Sequence, residues 1–412
     1  MKKPRVVITG LGVIAPNGIG KDAFWDALFE GCCGIKPITL FETAFFKAKS
    51  AGECGGFNAE EFLGVKGLRN LDRSTKLVCC AAKLAIEDAR LNITEENTND
   101  IGVVTATTLS VIGDISEFIK QASEQGPKSV NPAMFPGTTI NFPSSQISIR
   151  FGVRGFNTTV STGFSASLDA LKYAVDFIKL NRAKVVLVAG VEALFFQSFV
   201  GFHKLGFLAG IKGEELCCPF DRRRNGISIG EGAGVLVLEN RDYAVSRKTK
   251  IYAEVKAVES LFDPFRSGKY NPKGDGLKRS ISHVLKRSQV KREGIDYICA
   301  AANSVQTQDA VETKVIKEVF GARAKEIPVS SIKSMIGETV SASGVLQIAA
   351  SLGAIERNLI PPTINYKEPD PECDLDYVAN KAREATVRVA MSNAFGFGGH
   401  NSVLVFKEYR ES

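Results

Sequence analysis

NTTVSTGFSASLDAL, residues 157–171, reads as a short β-branched strand, a turn at Gly163 and the start of a helix. Past the turn, Leu168, Leu171, Ala174 and Ile178 recur at helical spacing and give that helix one apolar face. A strand that feeds a helix through a glycine puts one side chain at the helix N-terminus. There, the helix dipole and free backbone N–H groups favour a thiolate or an oxyanion. The residue on the turn is Phe164, which has no nucleophilic atom. Working outward, RVVITGLGVI (5–14), LVCCAAKLAIEDARL (77–91), DIGVVTAT (100–107) and KVVLVAGVEAL (184–194) continue the alternation of buried strands and amphipathic helices. This is the pattern of βαβ units around buried sheets, so the fold class is α/β.

The alternation restarts in the second part of the chain. GEGAGVLVLE (230–239) is echoed by FGGHNSVLVFKE (397–408), and KVVLVAGVEAL is matched in kind by IDYICAAANS (295–304). The expectation is two similar halves, residues 1–250 and 251–412, with no low-complexity linker between them and a single compact body. At 412 residues and 44% hydrophobic, the chain can bury a large core. No run approaches the roughly 18 apolar residues of a membrane span. The apolar stretch after MKKPR breaks at Gly10 and Gly12 without a small-residue cleavage site, which argues against a signal peptide and for a soluble, cytoplasmic protein.

The nine cysteines show no C-x-x-C spacing and read as small reduced core residues, so neither a metal nor a cofactor is expected. The glycines of GFGG (396–399) form a turn, since no helix start with Lys and Ser or Thr follows them as in a phosphate cradle. A net charge of +7 is modest for this length, and the basic residues cluster only at DRRRNG (221–226). Without aromatic and basic interleaving this suits an acidic protein partner as well as nucleic acid, and no nucleic-acid or membrane role is assigned.

Five ordered motifs, VVITGLGVIAPNG (6–18), STGFSAS (161–167), FDRRRNGISIGEGAGVLVLE (220–239), KSMIGETVSASG (333–344) and NAFGFGGHN (393–401), together resemble the β-ketoacyl synthases of the thiolase-like fold. The resemblance implies two βαβ-type halves stacked as a five-layer αβαβα sandwich, and obligate dimers. In that family a cysteine on the strand-to-helix turn attacks an acyl thioester, and two histidines assist decarboxylation and condensation. Matched residue by residue, Phe164 stands at the cysteine, Asn303 of AANSVQT (301–307) at the first histidine and Glu338 of KSMIGE (333–338) at the second, while Lys333 is retained. A carboxylate at 338 cannot donate to an enolate and repels a malonyl carboxylate, and it is placed to pair with Lys333. The chain has only His203, His283 and His400; His400, beside the GFGG turn, reads as a packing residue.

Three replacements remove nucleophile and acid–base partners together, a pattern similar to the chain length factor, the ketosynthase β-subunit of bacterial type II polyketide synthases. That resemblance implies a heterodimer with an active ketosynthase α-subunit, a tunnel shaped for a growing polyketide, and an acyl carrier protein met mainly through the partner. The commonest form of that subunit carries glutamine where this chain has Phe164, which places any priming role in doubt. The resemblance also assigns Leu109 to the position that limits acyl-chain length, with Ile112 and Ser116 at i+3 and i+7 on one helical face, Met134 to a residue that crosses the dimer interface, and Phe397 to the gating phenylalanine. The alternatives are ordinary core packing at these positions, and an enzyme with residual condensing or malonyl-decarboxylating activity.

Overall fold

The computed structural model describes residues 4–265 and 268–411. Ten strands carry the architecture: β1 (Val6–Ala15), β2 (Ile101–Ala106), β3 (Asn157–Val160), β4 (Val185–Glu192), β5 (Gly232–Asn240), β6 (Ala253–Phe262), β7 (Tyr297–Cys299), β8 (Val329–Ser330), β9 (Val389–Phe395) and β10 (His400–Glu408). They hydrogen-bond in the order β8-β7-β9-β10-β6-β1-β5-β4-β2-β3, and the short strand Gly18–Ile19 folds back on β1. The order of the first five strands, 3-2-4-5-1, is repeated by the second five. Directions repeat as well: β2 runs parallel to β3 and β4, β7 runs parallel to β8 and β9, and the remaining pairs are antiparallel. Only three residue pairs, Val6 with Val255, Val7 with Glu254 and Ile8 with Ala253, join the two halves of the sheet.

This topology assigns the two sequence echoes different places. β5 and β10 occupy equivalent places, as their sequences suggest. KVVLVAGVEAL forms β4, whose counterpart is β9, whereas IDYICAAANS forms β7, the counterpart of β2. Parallel strands buried on both faces are all near-continuous apolar runs, so they look alike without being equivalent.

Six helices complete the layers: α1 (Arg73–Asp88), α2 (Ile112–Gln125), α3 (Ala166–Lys179), α4 (Asp275–Ser288), α5 (Gln306–Phe320) and α6 (Ser343–Arg357). α1 starts where Asp72 caps the N–H groups of Ser74 and Thr75, and its apolar face covers β1, β4 and β5. α4 and α5 cover the outer face of the second half. α3 and α6 lie between the halves, in one core with Val104, Val186 and Leu236 on one side and Tyr297, Ala390 and Leu404 on the other. The result is the thiolase-like αβαβα stack. Central helices must approach closely to fit this layer, and Gly344 permits it, because a Cβ there would lie 2.8 Å from Ser167 Cβ. No helix among the described residues is long and apolar enough to cross a membrane.

Candidate functional site

The two central helices begin at turns that touch each other. β3 leads through Gly163, at φ +66°, into the single 3₁₀ turn Gly163–Ser165 and then α3. β8 leads through Lys333–Ile336, Glu338 and a second 3₁₀ turn, Val340–Ala342, into α6. Asp169, one turn into α3, accepts hydrogen bonds from Thr162 and from Ser165, the latter at 2.9 Å, and fixes the first turn. That geometry preserves a place for a side chain at the start of α3. Phe164 fills it, 8% exposed, with its ring edge-on to Phe397 at 5.3 Å and to Phe202 at 6.4 Å. Gly396 is required opposite the ring: a Cβ at that position would lie 2.6 Å from Phe164 Cδ2.

Asn303, Lys333 and Glu338 come together as the alignment of motifs implies, fully enclosed at 0, 3 and 1% exposure. Glu338 Oε2 accepts from Lys333 Nζ at 2.8 Å and Asn303 Nδ2 at 2.9 Å, while Oε1 accepts from Val340 N at 3.0 Å and Ser343 Oγ at 2.5 Å. Lys333 Nζ also donates to the carbonyl of Ala301 at 2.7 Å. Four donors take up both carboxylate oxygens, so Glu338 has no acceptor site left for a substrate. Beneath it, Asp309 accepts from Asn303 N at 3.0 Å and Phe220 N at 2.9 Å, and burial pushes its carboxyl up to about 6. Glu312 accepts from Ala301 N, Ala302 N and Asn393 Nδ2, and burial pushes it up to about 7.

Leu109 packs against the aromatic and aliphatic cluster that holds Phe164, Phe202, Phe397 and Val340. Its placement differs in one respect from the sequence expectation. α2 begins at Ile112, so Leu109 sits on the preceding turn rather than sharing a helical face with Ile112 and Ser116. Glu192 at the end of β4 fixes that turn, its carboxylate accepting from the N–H groups of Thr108 at 2.5 Å and Leu109 at 3.0 Å. Ser116 spends its hydroxyl on the Ile112 carbonyl at 2.7 Å. Met134 is half-buried in the 3₁₀ segment Pro132–Thr138, beside exposed Phe135. His400 packs edge-on against Phe262 at 4.9 Å.

Outside this cluster, a cavity of about 470 Å³ is lined by Phe207, Lys212, Asn225, Lys269, Tyr270 and Thr307, among others. It ends at Phe207 and Tyr270, whose rings pack on Phe397 at 4.7 and 6.3 Å, and Phe397 in turn covers Phe164. Phe202, Phe207 and Tyr270 escape sequence reading because this ring stack gathers residues scattered over more than half the chain. Glu192 did leave a signal: a carboxylate ends the apolar run VVLVAGVE, and a carboxylate at that depth needs donors.

Fold and site define a thiolase-like scaffold with an aromatic ring on the turn that opens the first central helix. Residues 3–244 match the model of the β-ketoacyl synthase N-terminal domain, and residues 252–367 that of the C-terminal domain. The chain belongs to the β-ketoacyl synthase family. It is 37% identical over its full length to a 3-oxoacyl-[acyl-carrier-protein] synthase 2 of Synechocystis sp., covering 99% of that protein. To the synthase of the same name from Coxiella burnetii it is 34% identical, over 98% of this chain and 99% of the other. Among solved structures, "the ishigamide ketosynthase/chain length factor" superposes with a TM-score of 0.93 at 32% identity, covering 99% of this chain and all of that one. A type II PKS acyl-carrier protein in complex with its ketosynthase superposes at 0.90 and 30% identity, with the same coverage.

Proposed function

We propose that this chain is the non-condensing member of a ketosynthase pair, of the chain length factor kind. In this reading it assembles in the cytoplasm with a ketosynthase that keeps its Cys, His, His set, and it shapes the tunnel in which a carrier-bound polyketide grows. The observation that carries the reading is Phe164, enclosed on the turn where a nucleophile belongs and sealed by Phe397. The Lys333–Glu338–Asn303 cluster supports it, since a carboxylate whose two oxygens are taken by four donors stands there in place of a free imidazole. The likeness to the ishigamide ketosynthase/chain length factor lends further support. Leu109, Ile112, Ser116, Met134 and Phe397 are the tunnel and interface residues of this reading, and carrier protein reaches the tunnel mainly through the partner subunit.

A second reading keeps some activity: a β-ketoacyl-ACP synthase, or a malonyl-ACP decarboxylase. Full-length identity of 37% to a 3-oxoacyl-[acyl-carrier-protein] synthase 2 favours it. The site residues favour the first. Purified chain, cognate ketosynthase and the mixture are each supplied with malonyl-loaded carrier protein, and products are read by mass spectrometry. The first reading expects product only from the mixture. Condensation or decarboxylation by this chain alone selects the second.

A further inference from the structure

Glu192 takes no part in the replaced catalytic set, yet it is 2% exposed and points into the joint between the three site loops. Its Oε1 accepts from Thr108 N at 2.5 Å and its Oε2 from Leu109 N at 3.0 Å. Thr108 carries the linkage onward: its hydroxyl lies 2.7 Å from Ser341 Oγ and accepts from Gly163 N at 3.2 Å. Ser341 Oγ closes the circuit by donating to the Gly163 carbonyl at 3.4 Å. One carboxylate therefore ties the Leu109 turn to the turn bearing Phe164 and to the loop following Glu338. Burial pushes its carboxyl up to about 7, so a group costly to bury has been placed there and given donors.

We infer that Glu192 is a positioning residue for chain-length control, setting the height of the Leu109 side chain in the tunnel by fixing the backbone of Thr108 and Leu109. The inference rests on the tunnel reading of Leu109 given above. It assigns a specificity role to a residue that never meets substrate: a carboxylate holding two adjacent N–H groups leaves the turn little freedom, and the leucine it carries becomes a rigid stop. Glu192→Gln keeps shape and volume but turns an NH2 group toward one of those N–H donors, which frees the turn without opening a cavity.

The test uses the chain assembled with its ketosynthase and carrier protein, and compares wild type, Leu109→Ala, Glu192→Gln and the double variant. Product lengths are measured by mass spectrometry, and backbone amide exchange is followed at Thr108 and Leu109. Glu192→Gln is expected to shift product toward longer chains and to speed exchange at both amides by about tenfold, the loss of roughly one hydrogen bond. In the Leu109→Ala background it should change product length no further, because a residue acting through Leu109 has nothing left to position. An equal shift in both backgrounds would overturn the inference in favour of general loosening. So would unchanged length in Glu192→Gln where Leu109→Ala lengthens the product. If Leu109→Ala itself changes nothing, the tunnel reading of Leu109 has failed and chain-length control by Glu192 falls with it, whereas faster amide exchange in Glu192→Gln would still show that Glu192 holds this turn. Should Glu192→Gln not assemble, Glu192→Asp, with its carboxylate drawn back by one methylene, is judged by the same four comparisons.

Discussion

Phe164 and the Lys333–Glu338 pair fill their buried positions in two different ways. The ring occupies volume, packed edge-on against Phe202 and Phe397 and facing the bare Cα of Gly396. Truncation to Phe164→Ala should cost about 3–5 kcal/mol by chemical denaturation, the usual range for a buried aromatic. The ion pair occupies charge. Removing one partner strands the other in a buried site, so Lys333→Met should destabilise by ~3–5 kcal/mol, whereas Lys333→Met combined with Glu338→Gln should recover most of that loss. Denaturation midpoints of the two singles and the double decide it, and simple additivity would show that the pair is not a unit. That Asn303, Lys333 and Glu338 meet was legible in the sequence, because AANSVQT and KSMIGE stand out as motifs. What the alignment could not give is that Glu338 has all its acceptor capacity used, which depends on Asn303, Val340 and Ser343 converging from two loops.

At the scale of elements, the strand-and-helix alternation was readable because buried parallel strands are apolar throughout and α3 carries a clean helical stripe. The start of α2 was not, because the turn before it is held by Glu192 from a distant strand and Ile112 has no side-chain cap to mark it. The place of β7 in the sheet was not legible either, because hydrophobic runs record burial and not position in the sheet. A second element effect is electrostatic. Glu312 lies on α5 with its carboxyl pushed from 4.5 up to about 7, chiefly by burial, with Asp309 raising it further and Asn393, Ala301 N and Lys333 opposing. A raised carboxyl binds its proton more tightly when folded than when unfolded, so stability falls as pH rises from about 4.5 to 7 and is level above that. The share due to Glu312 is on the order of 3 kcal/mol. Urea titrations at pH 5 and pH 7 should show a smaller fall in Glu312→Gln than in wild type, and an unchanged fall would assign the dependence to other groups.

For the whole molecule, the repeated 3-2-4-5-1 order explains why the two central helices start at the same place and why their turns form one site. It also leaves β3 as the outermost strand of its half, next to a segment on which Ile119, Phe135 and Ile149 are 60, 60 and 72% exposed. Apolar side chains so exposed beside an open strand edge suit a partner subunit. Ile119→Lys should weaken assembly with the ketosynthase by about tenfold or more, read by analytical ultracentrifugation, while leaving the fold intact by circular dichroism. Unaltered assembly would move the interface elsewhere. The central claim, a ketosynthase scaffold that forms no acyl-enzyme, is tested most directly by intact-mass spectrometry of both subunits after incubation of the assembled complex with acyl-loaded carrier protein. The account predicts one acyl group on the ketosynthase partner and none on this chain, and a stoichiometric acyl adduct on this chain would contradict it.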